Sequence, residues 1–351
     1  MIATPNKTIQ IYLIFFMALL LASCSRSKKV DVSNIHLDVK IERFDKDFDA
    51  LRSKPFNSQV PYLEDKYTVF YKDFIEQIIQ AGSLKDTAYY QTIRELLKAK
   101  PYNDLKHDVD LIYPGDMDKQ NAELTDAFRR IKYYFPKQEL PKVYAYFSGF
   151  EAQTSVGTGY FGIGLDLFLG ADSRFYPALT KAFPRYLSRF FTPENITPRV
   201  VEGIVRNDMF IENDRDASLL TKMIYNGKIM YFMDQVLPDE PDSLKIQYTS
   251  KQMDWCKANE SNIWAYFLEE NLLYETDFMK TGKYINVAPF TPGLGENNES
   301  APRLGIWTGW QIVKKYMEKH PELSLAQLMA INDPQKILNE SKYRPDNGKG
   351  K

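Results

Sequence analysis

The chain has 351 residues, 44% hydrophobic and 14% aromatic, enough for a sizeable core in one large or two modest domains. Its 45 basic residues nearly balance 46 acidic ones, so it carries no footprint for nucleic acid, and no DNA or RNA partner is expected. Three histidines and two cysteines supply neither the standard zinc ligand sets nor a disulfide framework.

The first residues read as an export signal. Lys7 gives a short positive region, Ile11 to Leu20 an apolar run, and Leu21-Ala22-Ser23-Cys24 a lipobox, in which small side chains admit the peptidase and the Cys24 thiol takes the lipid. The run is short for a membrane span, which needs ~20 apolar residues. Residues 1–23 are therefore expected to be a lipoprotein signal peptide, and Cys24 the lipidated first residue of the mature chain. Diacylglycerol and palmitate chains there would hold the body on a lipid bilayer, since each buried methylene adds ~0.8 kcal/mol. Ser25 stands where an aspartate favours the inner membrane, and no acidic run follows Cys24. Both features point to the outer membrane and its periplasmic face.

Residues 24–37 are polar and suit a tether. Beyond them apolar residues recur at helical spacing: Tyr67, Phe70, Tyr71, Phe74 and Ile78, ending near Gly82, then Leu124, Ala127, Phe128, Ile131 and Tyr134, stopped by Pro136. Lys142 to Ser148 and Phe161 to Phe168 are short, aromatic or branched and bounded by glycine, and read as strands. The turn-like stretch Ser155 to Gly159 would let them pair as a hairpin, or they could join another element in a small sheet. Leu179, Ala182, Phe183, Tyr186, Leu187 and Phe190 predict a core-facing helix. Thr197-Pro198 opens a helix to about Met209, with Val200, Val201, Ile204 and Val205 as its apolar face. Another covers Asp216 to Leu237, with Gly227 as a weak point. Thr249 with Gln252 forms a capping-box pattern. After an irregular stretch over residues 281–305, Ile306, Trp310, Val313 and Met317 make a helix face, and Ser324 with Gln327 and Asp333-Pro334 begin short helices. The expected fold class is α+β, predominantly helical with a small sheet or hairpin.

Few residues offer chemistry. His36, His107 and His320 do not cluster, and no HExxH, nucleophile elbow or phosphate loop occurs. The remaining candidates are the acids Glu269, Glu270, Glu275 and Asp277, together with Asp166 in a strand pattern. A carboxylate pair can hydrolyse glycosides at the right separation. Trp307 falls off the stripe of Trp310 and is a candidate ring for stacking a sugar, with core packing the favoured reading. Cys256 reads as a small buried thiol. The competing reading of each acid is a solvated or capping charge.

Six runs carry a further resemblance: Ile41-Glu42-Arg43-Phe44-Asp45-Lys46-Asp47-Phe48, Leu140-Pro141-Lys142-Val143-Tyr144, Gly162 to Gly170, Asn271 to Asp277, Gly305 to Val313, and Leu338 to Pro345. In this order and behind a lipobox, they resemble the gliding motility lipoprotein GldB family. The resemblance implies a single domain over residues 38–345, with 346–351 as a flexible tail. It also implies an envelope role with other motility or secretion proteins, without catalysis, metal or cofactor. The layout is similar, too, to a degenerate zinc peptidase in which Val201-Glu202-Gly203-Ile204-Val205 stands at the HExxH position. Glu202 would be the surviving base and both histidines would be valines, so no metal would be held. The alternative function is a periplasmic hydrolase or glycan-binding lipoprotein.

Overall fold

Residues 142–164 alternate large side chains with glycines, and here the chain builds its only extended pairing among the described residues, enclosed by helices. The computed structural model describes residues 29–212, 218–295 and 298–345. The chain divides into residues 1–34 and 35–351. In the first unit, the Ser33 amide donates to Asp31 at 2.9 Å. The second unit holds the hydrophobic core, from Ile41 to Tyr343. Cys24, the signal peptide and residues 346–351 lie outside the described residues.

Strands β1 (Glu42–Arg43), β2 (Lys142–Tyr146), β3 (Thr154–Gly157) and β4 (Tyr160–Gly164) form one sheet in the order β1-β2-β4-β3. β2 runs parallel to both β1 and β4, with Tyr144 beside Gly162. The hairpin is β3–β4, in register from Thr154 with Ile163 to Gly157 with Tyr160. The two aromatic runs thus pair in parallel within a small sheet, the second of the two expected arrangements, and the hairpin alternative is corrected. Thr154-Ser155-Val156 suits a strand, and Gly159, at φ +75°, confines the turn to two residues. A second correction concerns the end of β4. It stops at Gly164, and Leu165–Leu167 forms a 3-10 turn that takes Asp166 out of the strand. A side chain at Gly162 would run into Ser155 and Tyr146, and one at Gly164 into the Ala152 carbonyl. Close approach, not phosphate binding, explains this glycine pair.

Helices α1 (Phe44–Asp49), α2 (Phe56–Asp73, continued by a π-turn over Phe74–Ile78), α3 (Tyr89–Lys98), α4 (Lys100–Ile112) and α5 (Asp118–Tyr134) make the N-terminal part. The α2 stripe is buried as expected. Phe70 lies 4.9 Å from Phe44, 5.0 Å from Tyr144 and 5.1 Å from Tyr160, ring to ring, which joins α1, α2 and the sheet. Each such ring removes roughly 150–250 Å² from water, about 4–6 kcal/mol before entropy is counted. The tyrosine hydroxyls at the edge keep polar partners: Tyr67 donates to Asp47 at 2.7 Å and Tyr160 to Asp73 at 2.8 Å.

The C-terminal part comprises α6 (Arg185–Ser188), α7 (Ile196–Ile204, continued by a π-turn over Val205–Met209), α8 (Leu219–Val236), α9 (Asp242–Ile246), α10 (Ser250–Ala258), α11 (Glu260–Glu269), α12 (Phe278–Thr281), α13 (Leu304–Lys319), α14 (Leu325–Ala330) and α15 (Pro334–Ser341). Both capping boxes form, at Thr249 with Gln252 and at Ser324 with Gln327. Gly227 is not a weak point. A Cβ there would collide with the Gly309 carbonyl, and one at Gly309 with the Met223 carbonyl, so the pair lets α8 and α13 cross at backbone contact. The helix expected over residues 179–190 is also corrected. Pro184 lacks an N–H and blocks the preceding turn, leaving a 3-10 turn at Tyr176–Leu179 and the single turn α6. Phe183, Tyr186, Leu187 and Phe190 consequently stay half-buried. Among the described residues no helix is long and apolar enough to cross a membrane.

Candidate functional site

Helix α7 buries valines and isoleucines on one face, yet carries Arg199, Glu202 and Arg206 at spacings of three and four residues. Such spacing stacks the side chains on one side of a helix. Glu202 receives the Arg206 Nε at 2.9 Å on one oxygen and the Arg199 Nη1 on the other. Burial alone would raise its carboxyl pKa, but Arg199, Arg206 and Arg303 outweigh that effect and hold it down to about 2. Arg199 also donates to the carbonyls of Leu244 at 3.1 Å and Lys245 at 2.5 Å, and Arg303 donates to that of Ile246. Two guanidiniums therefore satisfy the last carbonyls of α9, where the helix dipole favours positive charge. Gln247, at φ +55°, turns the chain away.

A second network holds α9 from its other side. Asp234 of α8 accepts from Lys245 at 2.8 Å and from the Trp310 indole at 2.8 Å, and the Lys314 ammonium sits 3.8 Å from the Trp310 ring centre. This arrangement fixes α8, α9 and α13 around the arginines. The charge count is uneven: three arginines share one carboxylate, Glu202, among the described residues. Burial lowers the pKa of Arg199 and of Arg303, and the Nε atoms of both are shielded from solvent without an acceptor.

Arg303 is only 8% exposed and lines a cleft of about 220 Å³. Phe183, Tyr186, Leu187 and Phe190 form one wall, Val287 and Pro302 another, and the amides of Gln153, Gln247 and Gln252 complete the lining. The segment that cannot form a helix through Pro184 is thus the segment that leaves its rings facing this cleft.

A family model described as gliding motility protein GldB matches residues 25–345. The chain belongs to the GldB family. No curated protein and no solved structure matches it. GldB membership gives the chain a gliding-motility association, a lipoprotein class and a cell-envelope setting, in agreement with the resemblance read from its six sequence runs.

In this GldB family chain the other sequence candidates do not converge. Glu269, Glu270 and Asp277 are exposed. Glu275 is bound to Lys280 at 2.8 Å and to the amides of Thr276 and Asp277. Trp307 is 2% exposed and belongs to the core, which agrees with the packing reading and not with a sugar platform. The α13 stripe is wider than the three- and four-residue steps suggested, because α8 covers its other side. No cleft joins Trp307 to the acids among the described residues. Asp166 is fully buried and accepts the amides of Ser148 at 3.1 Å and Phe150 at 2.6 Å. Burial raises its pKa to about 6 against those bonds. Glu202, the base of the zinc-peptidase reading, is clamped between guanidiniums, with Arg206 on one oxygen and Arg199 on the other. Cys256 is buried, as expected. Among the described residues no group of three or more His, Cys, Asp or Glu could hold a metal. A larger cavity, about 490 Å³, lies beside Lys228. There the ammonium is spent on the carbonyls of Met329 at 3.2 Å and Ile331 at 2.7 Å, which closes the end of α14. Sequence reasoning missed Arg199, Arg206 and Arg303. The available signal was a triad of charges spaced on a helix whose other residues are nearly all apolar.

Proposed function

We propose that the protein is a lipid-anchored envelope component that supports gliding motility or outer-membrane secretion machinery by binding, without catalysis. The observation that carries this reading is the family match, which begins one residue after Cys24 and runs to the end of the described body. The anchor is the Cys24 thiol with its acyl chains, and the body faces the periplasm from the outer membrane. Its partners are the bilayer and other envelope motility or secretion proteins. A non-catalytic role draws support from Glu202, held as a carboxylate at about 2, far from the range of a base working near neutrality, and from the separation of the acids near residue 270 from any cleft.

The test is a gene deletion complemented with wild type or with Cys24→Ala. Loss of spreading or of secreted protein, restored by wild type and not by Cys24→Ala, is expected, with the variant released or left as uncleaved precursor. Normal motility and secretion in the deletion would end this reading.

A further inference from the structure

The cleft at Arg303 has a chemistry more specific than a general adhesive surface. Its floor is a guanidinium more than nine-tenths buried, with one hydrogen bond, to the Ile246 carbonyl, among the described residues. Buried arginines ordinarily meet a carboxylate, because an unpaired buried charge costs several kcal/mol. Here the one nearby carboxylate, Glu202, is already occupied by Arg199 and Arg206. The missing counter-ion would therefore come from outside. Guanidinium geometry favours a planar, two-oxygen anion.

The walls define the rest of the ligand. About 220 Å³ has room for one large side chain. Phe183, Leu187 and Phe190 supply apolar contact within reach of the arginine, and three glutamine amides offer both donors and acceptors. Gln153 already donates to the Leu167 carbonyl at 3.3 Å and the Gln252 oxygen already accepts the Thr249 amide; the hydrogen-bonding valences these amides retain suit a peptide backbone better than a lipid tail. An internal Asp or Glu brings a carboxylate but no second apolar group. A chain terminus carries both on one carbon.

We propose that this cleft binds the C-terminal residue of a partner polypeptide, its carboxylate on Arg303 and its aromatic or branched side chain against Phe183, Leu187 and Phe190. The inference rests on the binding role proposed above and names what is recognised. It is also separable from that role, because peptide binding is measured directly and motility is not involved.

The mature full-length chain, in lipid nanodiscs, is titrated against fluorescein-Gly-Gly-Leu-Phe with a free C-terminus and against the same peptide as its C-terminal amide, by fluorescence anisotropy with empty nanodiscs as blank. The free acid is expected to bind about ten- to a hundredfold more tightly than the amide, the range for losing a charged hydrogen bond. Arg303→Met should abolish that preference. Because Arg303 also holds α9, Val287→Glu provides a second variant at a half-exposed wall position. Its charge should weaken the acid at least tenfold while unfolding stays unchanged. Equal affinity for acid and amide, no binding of either at millimolar peptide, or unaltered binding to a folded Val287→Glu would each overturn the proposal.

Discussion

Gly227 of α8 lies against the backbone of Gly309 of α13, so the long helices of the C-terminal part meet without an intervening side chain. Alanine is favoured over glycine inside a helix by ~1 kcal/mol, yet here the contact decides the sign. The Cβ of Gly309→Ala would meet the Met223 carbonyl, and backbone cannot swing aside as a side chain can. A net loss of about 2–3 kcal/mol is expected, read as a lower urea midpoint with an unchanged slope. Gly115→Ala, with nothing within 4 Å of the added carbon, should stay within about 0.5 kcal/mol of wild type. A Gly309→Ala variant as stable as wild type would show that the crossing has slack.

Glu202→Gln leaves the largely buried Arg199 and the half-buried Arg206 without their anion. Removing one partner of a buried pair typically costs about 3–5 kcal/mol, and chemical denaturation at neutral pH should show a loss of that size. The pH dependence has a definite sign. Glu202 titrates at about 2 in the fold against 4.5 ordinarily, so its stabilisation is complete above about 4.5 and is lost as pH falls through about 2. The wild-type protein should lose about 3 kcal/mol over that window through this group, a slope absent from Glu202→Gln.

Asp166 works in the opposite direction. Burial raises its pKa from 3.8 to about 6 even though Phe150 and Ser148 donate to it. Its contribution is complete below about 3.8 and is lost as pH rises through about 6, close to 3 kcal/mol in all. Comparing wild type with Asp166→Asn by urea unfolding at pH 4, 5, 6 and 7 isolates the group. The difference between the two should shrink or reverse towards pH 7, and a pH-independent difference would contradict the assignment.

Cys256 is fully buried, and burial pushes its thiol well above the usual range despite a lowering contact with Tyr248. A maleimide should leave it unmodified in the native protein at pH 7.5 and label it once urea unfolds the chain. Rapid native labelling would show local opening around α10.

Helices whose apolar residues recur without interruption were legible in the sequence: the stripe of Phe70 and Phe74, the caps at Thr249, Ser324 and Asp333, and the face of Trp310. Each depends on neighbours within a turn. What escaped depends on partners far along the chain. The position of β4 between β2 and β3 is a long-range pairing that local alternation cannot specify. Phe183 and Phe190 have the spacing of a buried helix, but one proline between them converts a stripe into a cleft wall. Trp307 falls off the stripe of Trp310, and its burial comes from elements outside α13 that local spacing does not name. At the candidate site, Glu202 was visible as a residue but not as a role, because its partners Arg199 and Arg206 belong to no recognised motif and Arg303 lies about a hundred residues away. The proposed anchor at Cys24, in contrast, rests on a contiguous motif, Leu21-Ala22-Ser23-Cys24, that lies outside the described residues.

The sheet order carries a consequence for how the chain acquires its shape. β2 and β3 are consecutive in the sequence yet do not pair, since residues 160–164 lie between them in the sheet. The two-residue turn lets β3 and β4 close locally, on the ~1–10 μs scale of hairpins. β1, about a hundred residues upstream, must instead wait for β2. By loop length the mid-chain hairpin is the quickest pairing to close and that of β1 among the slowest, so the first strand in the sequence is the one whose place depends on the most intervening chain.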